Sequence, residues 1–247
     1  MATTLVPIFE LPVYDSHHPP EPGADYSGGA VFLVDKPTGW SSFDIVRFLR
    51  NRIRVKKTGH AGTLDPLATG LMILCSGKAT KSVSEIQEYP KRYLADVCFG
   101  ASTPSQDAAT QPDKHAPFDH IDREMAEELI QHCFTGAIQQ IPPMYSALWK
   151  DGKRLYTYAR KGEIVEREPR EVVIHRIKIT SFEGGRMILD ITCSKGTYVR
   201  TLAHDIGIAL ETRAHLSDLR RTEIGPFRVY NALGIDLLRD LYQPKEG

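Results

Sequence analysis

Hydrophobic and polar positions change period several times along the chain, and each change predicts an element. Ala30-Val31-Phe32-Leu33-Val34 is an apolar run stopped by Asp35-Lys36-Pro37-Thr38-Gly39, the pattern of a short buried strand and a turn. Ser41 and Asp44 form a capping-box signal, and behind them Phe43, Val46, Leu49 and Ile53 recur at helical spacing. A glycine-rich loop over residues 58–70 leads into the apolar strand Leu71-Met72-Ile73-Leu74-Cys75. Residues 92–99 alternate, with Tyr93, Ala95, Val97 and Phe99 on one face of a strand. Asp122 is placed to open a helix that turns Met125, Leu129 and Cys133 inward and is closed by Gly136.

The second half continues the mixture. Residues 144–148 read as extended after Pro142-Pro143, and residues 154–161 as a helix stopped by Gly162. Strands over 171–180 and 187–193 flank a turn at Glu183-Gly184-Gly185, and a helix over about 197–210 stacks Tyr198, Leu202, Ile206 and Leu210. Strands and helices interleave irregularly, with short turns between neighbouring strands. That predicts an α+β fold with a mixed, largely antiparallel sheet flanked by helices. Residues 1–29, rich in Pro (Pro7, Pro12, Pro19, Pro20, Pro22) and then Gly, have no period and read as an extended arm. One folded domain is expected over 30–230 and a short tail over 231–247.

Composition narrows the class. The 247 residues are 41% hydrophobic and 25% charged, with 31 Lys+Arg against 31 Asp+Glu. This is the composition of a folded globular chain, not a disordered one. No apolar run approaches the ~18 residues of a membrane span, and the N-terminus lacks a signal-peptide pattern, so a cytoplasmic address is the default. Cys75, Cys98, Cys133 and Cys193 are scattered without metal spacing and read as buried structural thiols. No metal and no cofactor is implied. The neutral total hides an asymmetry: residues 45–64 hold no acid but carry Arg47, Arg50, Arg52, Arg54, Lys56 and Lys57. A second basic stretch holds Lys150, Lys153, Arg154, Arg160 and Lys161. Such stretches serve as a phosphate-binding surface or simply as solvated faces.

Two segments concentrate chemistry. Residues 59–70 crowd glycines, His60 and Asp65 into one connection, with Asp65 set between Leu64 and Pro66-Leu67, where its carboxylate is expected to be partly desolvated. It reads as a reactive carboxylate or as a plain turn cap. Gly70 with Gly77-Lys78 does not make a triphosphate loop, because the spacing is wrong and Ala79 stands where a hydroxyl must reach magnesium. The second segment, Cys193-Ser194-Lys195-Gly196-Thr197-Tyr198-Val199-Arg200, turns from a strand into a helix start. It suits either an anion or an ordinary cap with Arg200 in a structural salt bridge.

The loop at 59–70 with Gly77-Lys78-Ala79-Thr80-Lys81, then Lys91-Arg92-Tyr93, Gln140-Ile141-Pro142-Pro143-Met144-Tyr145-Ser146-Ala147-Leu148, Gly152-Lys153-Arg154-Leu155-Tyr156, residues 193–200 and Leu219-Arg220-Arg221-Thr222 closely resembles the TruB family of tRNA pseudouridine-55 synthases. The match runs in order from about residue 31 to 227. It implies the pseudouridine synthase fold, isomerisation of uridine 55 in the T-arm loop of tRNA, no cofactor, and a monomer with the tRNA T-arm as its partner. Residue by residue, Asp65 matches the catalytic aspartate and Arg200 the arginine that pairs with it. Tyr93 matches the tyrosine that stacks on the target base, and His60 the histidine that helps displace that base. Tyr198 and Leu219 match substrate-pocket positions, and Lys36 and Asp107 match further family positions. Departures occur at Thr103-Pro104-Ser105-Gln106-Asp107, and at Trp149, where the family has lysine. Two other readings stand beside this one: a catalytically silent RNA-binding protein on the same scaffold, and a magnesium-dependent phosphate-ester enzyme with an aspartyl nucleophile.

Overall fold

A computed structural model describes residues 8–242. Positions 1–7, with Pro7 of the expected arm, and positions 243–247 of the expected tail lie outside the described residues. In chain order the elements begin β1 (Val13–Tyr14), β2 (Ala30–Lys36), α1 (Ser42–Ile53), β3 (Thr58–His60), β4 (Thr69–Ser76), α2 (Val83–Glu88) and β5 (Lys91–Phe99). They continue through β6 (Ala101–Ser102), β7 (Lys114–His115), α3 (Arg123–Cys133), β8 (Gly136–Gln140), β9 (Trp149–Lys150), β10 (Lys153–Arg154) and α4 (Leu155–Ala159). The chain closes with β11 (Arg170–Glu183), β12 (Arg186–Cys193), α5 (Val199–Ala209), β13 (Ala214–Ile224), β14 (Phe227–Arg228) and α6 (Ile235–Leu241). No helix among the described residues is long and apolar enough to cross a membrane.

The chain divides into two units, one formed by residues up to 92 and from 220 onward, the other by Tyr93–Leu219. In the first, β4 pairs antiparallel with β2, from Ala30 opposite Ser76 to Lys36 opposite Gly70. It also pairs antiparallel with β3 and parallel with β13, where Arg221 faces Gly70. Being central, β4 is buried on both faces, which is why its sequence is a continuous apolar run rather than an alternation. Val31, Leu33, Leu71, Ile73, Cys75, Ile86 and Ile224 form one core cluster here. The segment read as an arm joins this unit: β1 lies parallel to β2, and Tyr14 and Tyr26 pack on the ring of Phe32. Helix α6, within the expected tail, buries Ile235 and Leu238.

In the second unit β13 is followed across the sheet by β5, β12, β11 and β8. β5 buries Lys91, Tyr93, Ala95, Val97 and Phe99 in strict alternation, as its sequence predicts. β11 and β12 form the expected antiparallel hairpin around Gly184 and Gly185, both at positive φ.

Several expectations need correction. The capping box of α1 is present in full, but its buried stripe is Ser42, Ile45, Val46, Leu49 and Ile53, while Phe43 is 62% exposed. Helix α3 starts on its Asp122 cap, yet buries Ala126 and Ile130 and leaves Met125 and Cys133 exposed. In α1 the expected Val46, Leu49 and Ile53 are buried and Ile45 takes the place of Phe43 on the stripe, whereas in α3 the buried face turns by about one position, to Ala126 and Ile130. Gly136 opens β8 rather than closing the helix, and the extended segment expected at 144–148 becomes regular only at β9. Of the four cysteines, Cys75 and Cys193 are buried, Cys98 is half-buried and Cys133 exposed.

Candidate functional site

Asp65 stands half-buried in the connection from β3 to β4, and the chain on both sides of it is anchored. Leu64 and Ala68 are buried. The hydroxyl of Ser42, at the start of α1, donates to the Leu64 carbonyl at 2.9 Å and accepts the Leu64 amide at 2.8 Å. The amide of Ala68 donates to the Asp65 carbonyl at 3.1 Å, and the amide of Gly39 to the Pro66 carbonyl at 2.8 Å. Lys36, the last residue of β2, is fully buried, and its Nζ donates to the carbonyls of Trp40 (2.7 Å), Pro37 (3.0 Å) and Pro66 (3.3 Å). Burial pushes the Lys36 ammonium down to about 8, a shift that the charge of Asp65 opposes and that of Arg221 assists. His60 ends β3; burial foremost, and the guanidinium of Arg221 after it, lower its pKa, so its imidazole is neutral at pH 7. This unit therefore brings together three of the expected residues, Lys36, His60 and Asp65. To them it adds Arg221, whose buried side chain also donates to this loop.

Gly70, at the end of the loop, is required by packing within the chain. A Cβ on Gly70 (φ +104°) would lie 2.2 Å from the carbonyl oxygen of Arg221, so the close approach is between two strands of this chain, not between backbone and ligand.

The second unit holds the other expected residues. Tyr93 on β5 and Leu219 on β13 are buried, on strands that neighbour one another in the sheet. Tyr198 caps α5, its peptide bracketed by the buried Gln140: the Tyr198 amide donates to Oε1 at 2.7 Å, and Nε2 donates to the Tyr198 carbonyl at 3.0 Å. That amide is thus engaged within the chain. The guanidiniums of Arg170 and Arg200 lie 4.7 Å and 5.7 Å from the centre of the Tyr198 ring. Arg200 is buried and donates to Asp107 Oδ2 at 3.3 Å and to the carbonyl of Tyr145 at 2.7 Å. Asp107 in turn accepts from Ser105 Oγ (2.6 Å) and the amide of Ala109 (3.0 Å). The segment that departs from the family pattern is therefore folded around this carboxylate. Sequence reasoning gave Gln140 and Arg221 no role. Strand alternation carries the signal for Arg221, since it shares the buried face of β13 with Leu219.

The two basic stretches differ. Arg52 lies over the Phe48 ring at 3.4 Å and donates to its carbonyl, whereas Arg54, Lys56 and Lys57 are exposed. In the second stretch Arg154 covers the exposed ring of Trp149 at 4.4 Å, and Arg160 approaches Tyr156 at 5.5 Å. Among the described residues no group of three or more His, Cys, Asp or Glu side chains is placed to hold a metal ion.

Residues 50–199 match the model of the TruB family pseudouridylate synthase N-terminal domain, and residues 200–246 that of the tRNA pseudouridylate synthase B C-terminal domain. The chain belongs to the TruB family. The tRNA pseudouridine synthase B of Flavobacterium johnsoniae is 45% identical over 226 residues, covering 89% of this chain and 98% of that protein. Its namesake from Bacteroides thetaiotaomicron is 47% identical over 219 residues, covering 85% and 91%. Among solved structures, a Cbf5-Nop10-Gar1 complex matches with TM-score 0.68 and 26% identity over 92% of this chain; the TruB-family chain spans 58% of that one. An H/ACA RNP bound to a substrate RNA containing 2'-deoxyuridine matches with TM-score 0.63 and 25% identity, and the chain spans 52% of it. The fold is that of the pseudouridine synthases, with the mixed sheet its sequence predicts, and the second family model takes in most of the segment read as a tail.

Proposed function

We propose that this TruB-family enzyme isomerises uridine to pseudouridine in tRNA, at position 55 of the T-arm loop, with Asp65 as the group that attacks or electrostatically supports the sugar–base bond. The observation that carries the reading is the Asp65 loop: a half-buried carboxylate whose flanking backbone is tied to β2, α1 and β13. A reactive group held this closely fits a reaction governed by positioning. The chemistry is balanced without a co-reactant. The C1′–N1 bond breaks, the uracil turns, a C1′–C5 bond forms, and the proton lost from C5 is matched by one gained at N1. The base must first leave its stack, at a cost of a few kcal/mol. In this reading Tyr93 supplies the ring it stacks on, the neutral His60 helps displace it, and Tyr198 and Leu219 shape its pocket. Arg200 provides positive charge for the reacting carboxylate, and Lys36 acts through the loop it holds. The enzyme works as a cytoplasmic monomer.

Asp65→Asn is the test. It removes the charge with little change of shape, so binding of a T-arm stem-loop should persist while pseudouridine formation is lost. Turnover by the Asn variant would refute the role of Asp65, and modification of another uridine by the native enzyme would refute the position. A chelator should leave the native rate unchanged; a strict need for magnesium would favour the phosphate-ester reading.

A further inference from the structure

Arg221 is almost fully buried, one of the largest side chains in this chain to be so. Among the described residues no carboxylate lies within ion-pair distance of its guanidinium. Its donors go to backbone instead: Nε to the carbonyl of Leu71 at 2.7 Å, Nη2 to that of Gly62 at 3.2 Å, and Nη1 to that of Thr63 at 3.4 Å. A cation buried without a counter-ion is costly, and apolar packing alone would be served better by leucine or methionine. What arginine offers is a rigid, planar fork with donors at fixed angles. Here the fork spans two pieces of chain: Leu71 in β4, and the two residues that lead to Leu64 and Asp65.

The backbone beneath the fork is equally constrained. Arg221 sits opposite Gly70 in the parallel pairing of β13 with β4. Only glycine permits that approach, since a Cβ there would meet the Arg221 carbonyl oxygen at 2.2 Å and its amide nitrogen at 2.8 Å. Gly62 leaves room for the guanidinium, with Nη1 3.5 Å from where its Cβ would stand. The other end of the loop is held by Lys36, through Pro66.

We propose that Arg221 is a positioning residue of this enzyme, a rigid strut between β4 and residues 62–63 that sets where the Asp65 loop stands. The inference rests on the reading of Asp65 as the reacting group. It assigns Arg221 no contact with RNA, and so separates rate from affinity.

The test uses the full chain with Arg221→Lys, which keeps the charge and loses the fork, and Arg221→Gln, which loses both. Three quantities are measured on each: the single-turnover rate of pseudouridine formation at saturating stem-loop RNA, the Kd for that RNA, and backbone amide exchange. The Lys variant should keep its Kd within about twofold and lose about a hundredfold in rate, the size expected for a reacting group displaced by about 1 Å. The amides of Leu64 and Ala68 should exchange faster, while those of β2 keep their protection. A native rate in the Lys variant overturns the proposal. So does a parallel fall of rate, affinity and β2 protection, which would make Arg221 a core anchor. If the Gln variant does not fold, the Lys variant decides; if neither folds, the proposal is overturned. Asp65→Asn, assayed alongside, separates the two ideas. Turnover by that variant removes the reading of Asp65, whereas a dead Asn variant beside a native-like Lys variant removes only the role of Arg221.

Discussion

Lys36 carries its charge where burial opposes it, and this gives the site a measurable pH dependence. Its folded pKa is about 8 against an ordinary 10.5, because burial disfavours the ammonium; Asp65, Arg221 and Asp44 are the charged groups that face it. Between those two values the unfolded chain still holds the proton and the folded chain has released it, so unfolding takes up a proton and stability rises with pH. Below about 8 both states are protonated and the full burial cost is present. The melting temperature of the native enzyme should therefore gain on that of a Lys36→Met variant as pH rises from 8 to 10.5. Over the same range the single-turnover rate should fall, because a neutral amine has only two protons for the three carbonyls it serves. A constant difference in melting temperature between the two proteins would refute the shift. His60 acts in the same direction at lower pH. Its lowered pKa means that the folded chain resists the proton which the unfolded chain accepts below about 6.5, so acid destabilises through it.

The elements around the site depend on glycine more than on helix or strand propensity. Gly70→Ala should destabilise the protein by more than the ~1–3 kcal/mol of left-handed strain alone, because the new Cβ meets the backbone of Arg221, which cannot swing aside as a side chain would. Urea unfolding measures this, and a loss below ~0.5 kcal/mol, the ordinary value for a surface change, would refute it. Element existence was legible in the sequence wherever a period ran cleanly. β5, the β11–β12 hairpin, the capping box of α1 and the Leu202, Ile206 and Leu210 positions of the α5 stripe all stand where the pattern puts them, while Tyr198 becomes the half-exposed cap. The faces of α1 and α3 were less legible. Periodicity gives the spacing of a stripe, but whether Phe43 or Ile45 lies under it depends on the surface that the helix meets.

At the scale of the whole molecule, the zero net charge conceals a basic stretch whose members have different roles. Arg52 is committed to the ring and carbonyl of Phe48, and Arg47 pairs with Asp44 at 2.8 Å, which leaves Arg54, Lys56 and Lys57 as exposed cations of that stretch. If these track the RNA backbone, replacing all three with Gln should raise KM with a smaller effect on kcat. Each phosphate that is no longer neutralised should flatten the log–log salt dependence of binding by roughly 0.7–0.9. Arg52→Gln should instead lower the melting temperature and leave the salt slope as it is. An unchanged slope in the triple variant would make these residues a solvated face and move the RNA track to the second basic stretch.

Sequence by itself determined the class of fold, the family and the loop that carries Asp65, because periodicity and motif spacing are properties of short stretches of chain. Tertiary structure decided the partners of the charged residues. Arg200 meets Asp107 across 93 positions of sequence, and Arg221 reaches Gly62 across 159. No local pattern carries such a pairing. It follows from how strands far apart in sequence come to lie side by side, and from the cost of leaving a buried donor or charge unsatisfied, which every candidate partner must meet in three dimensions.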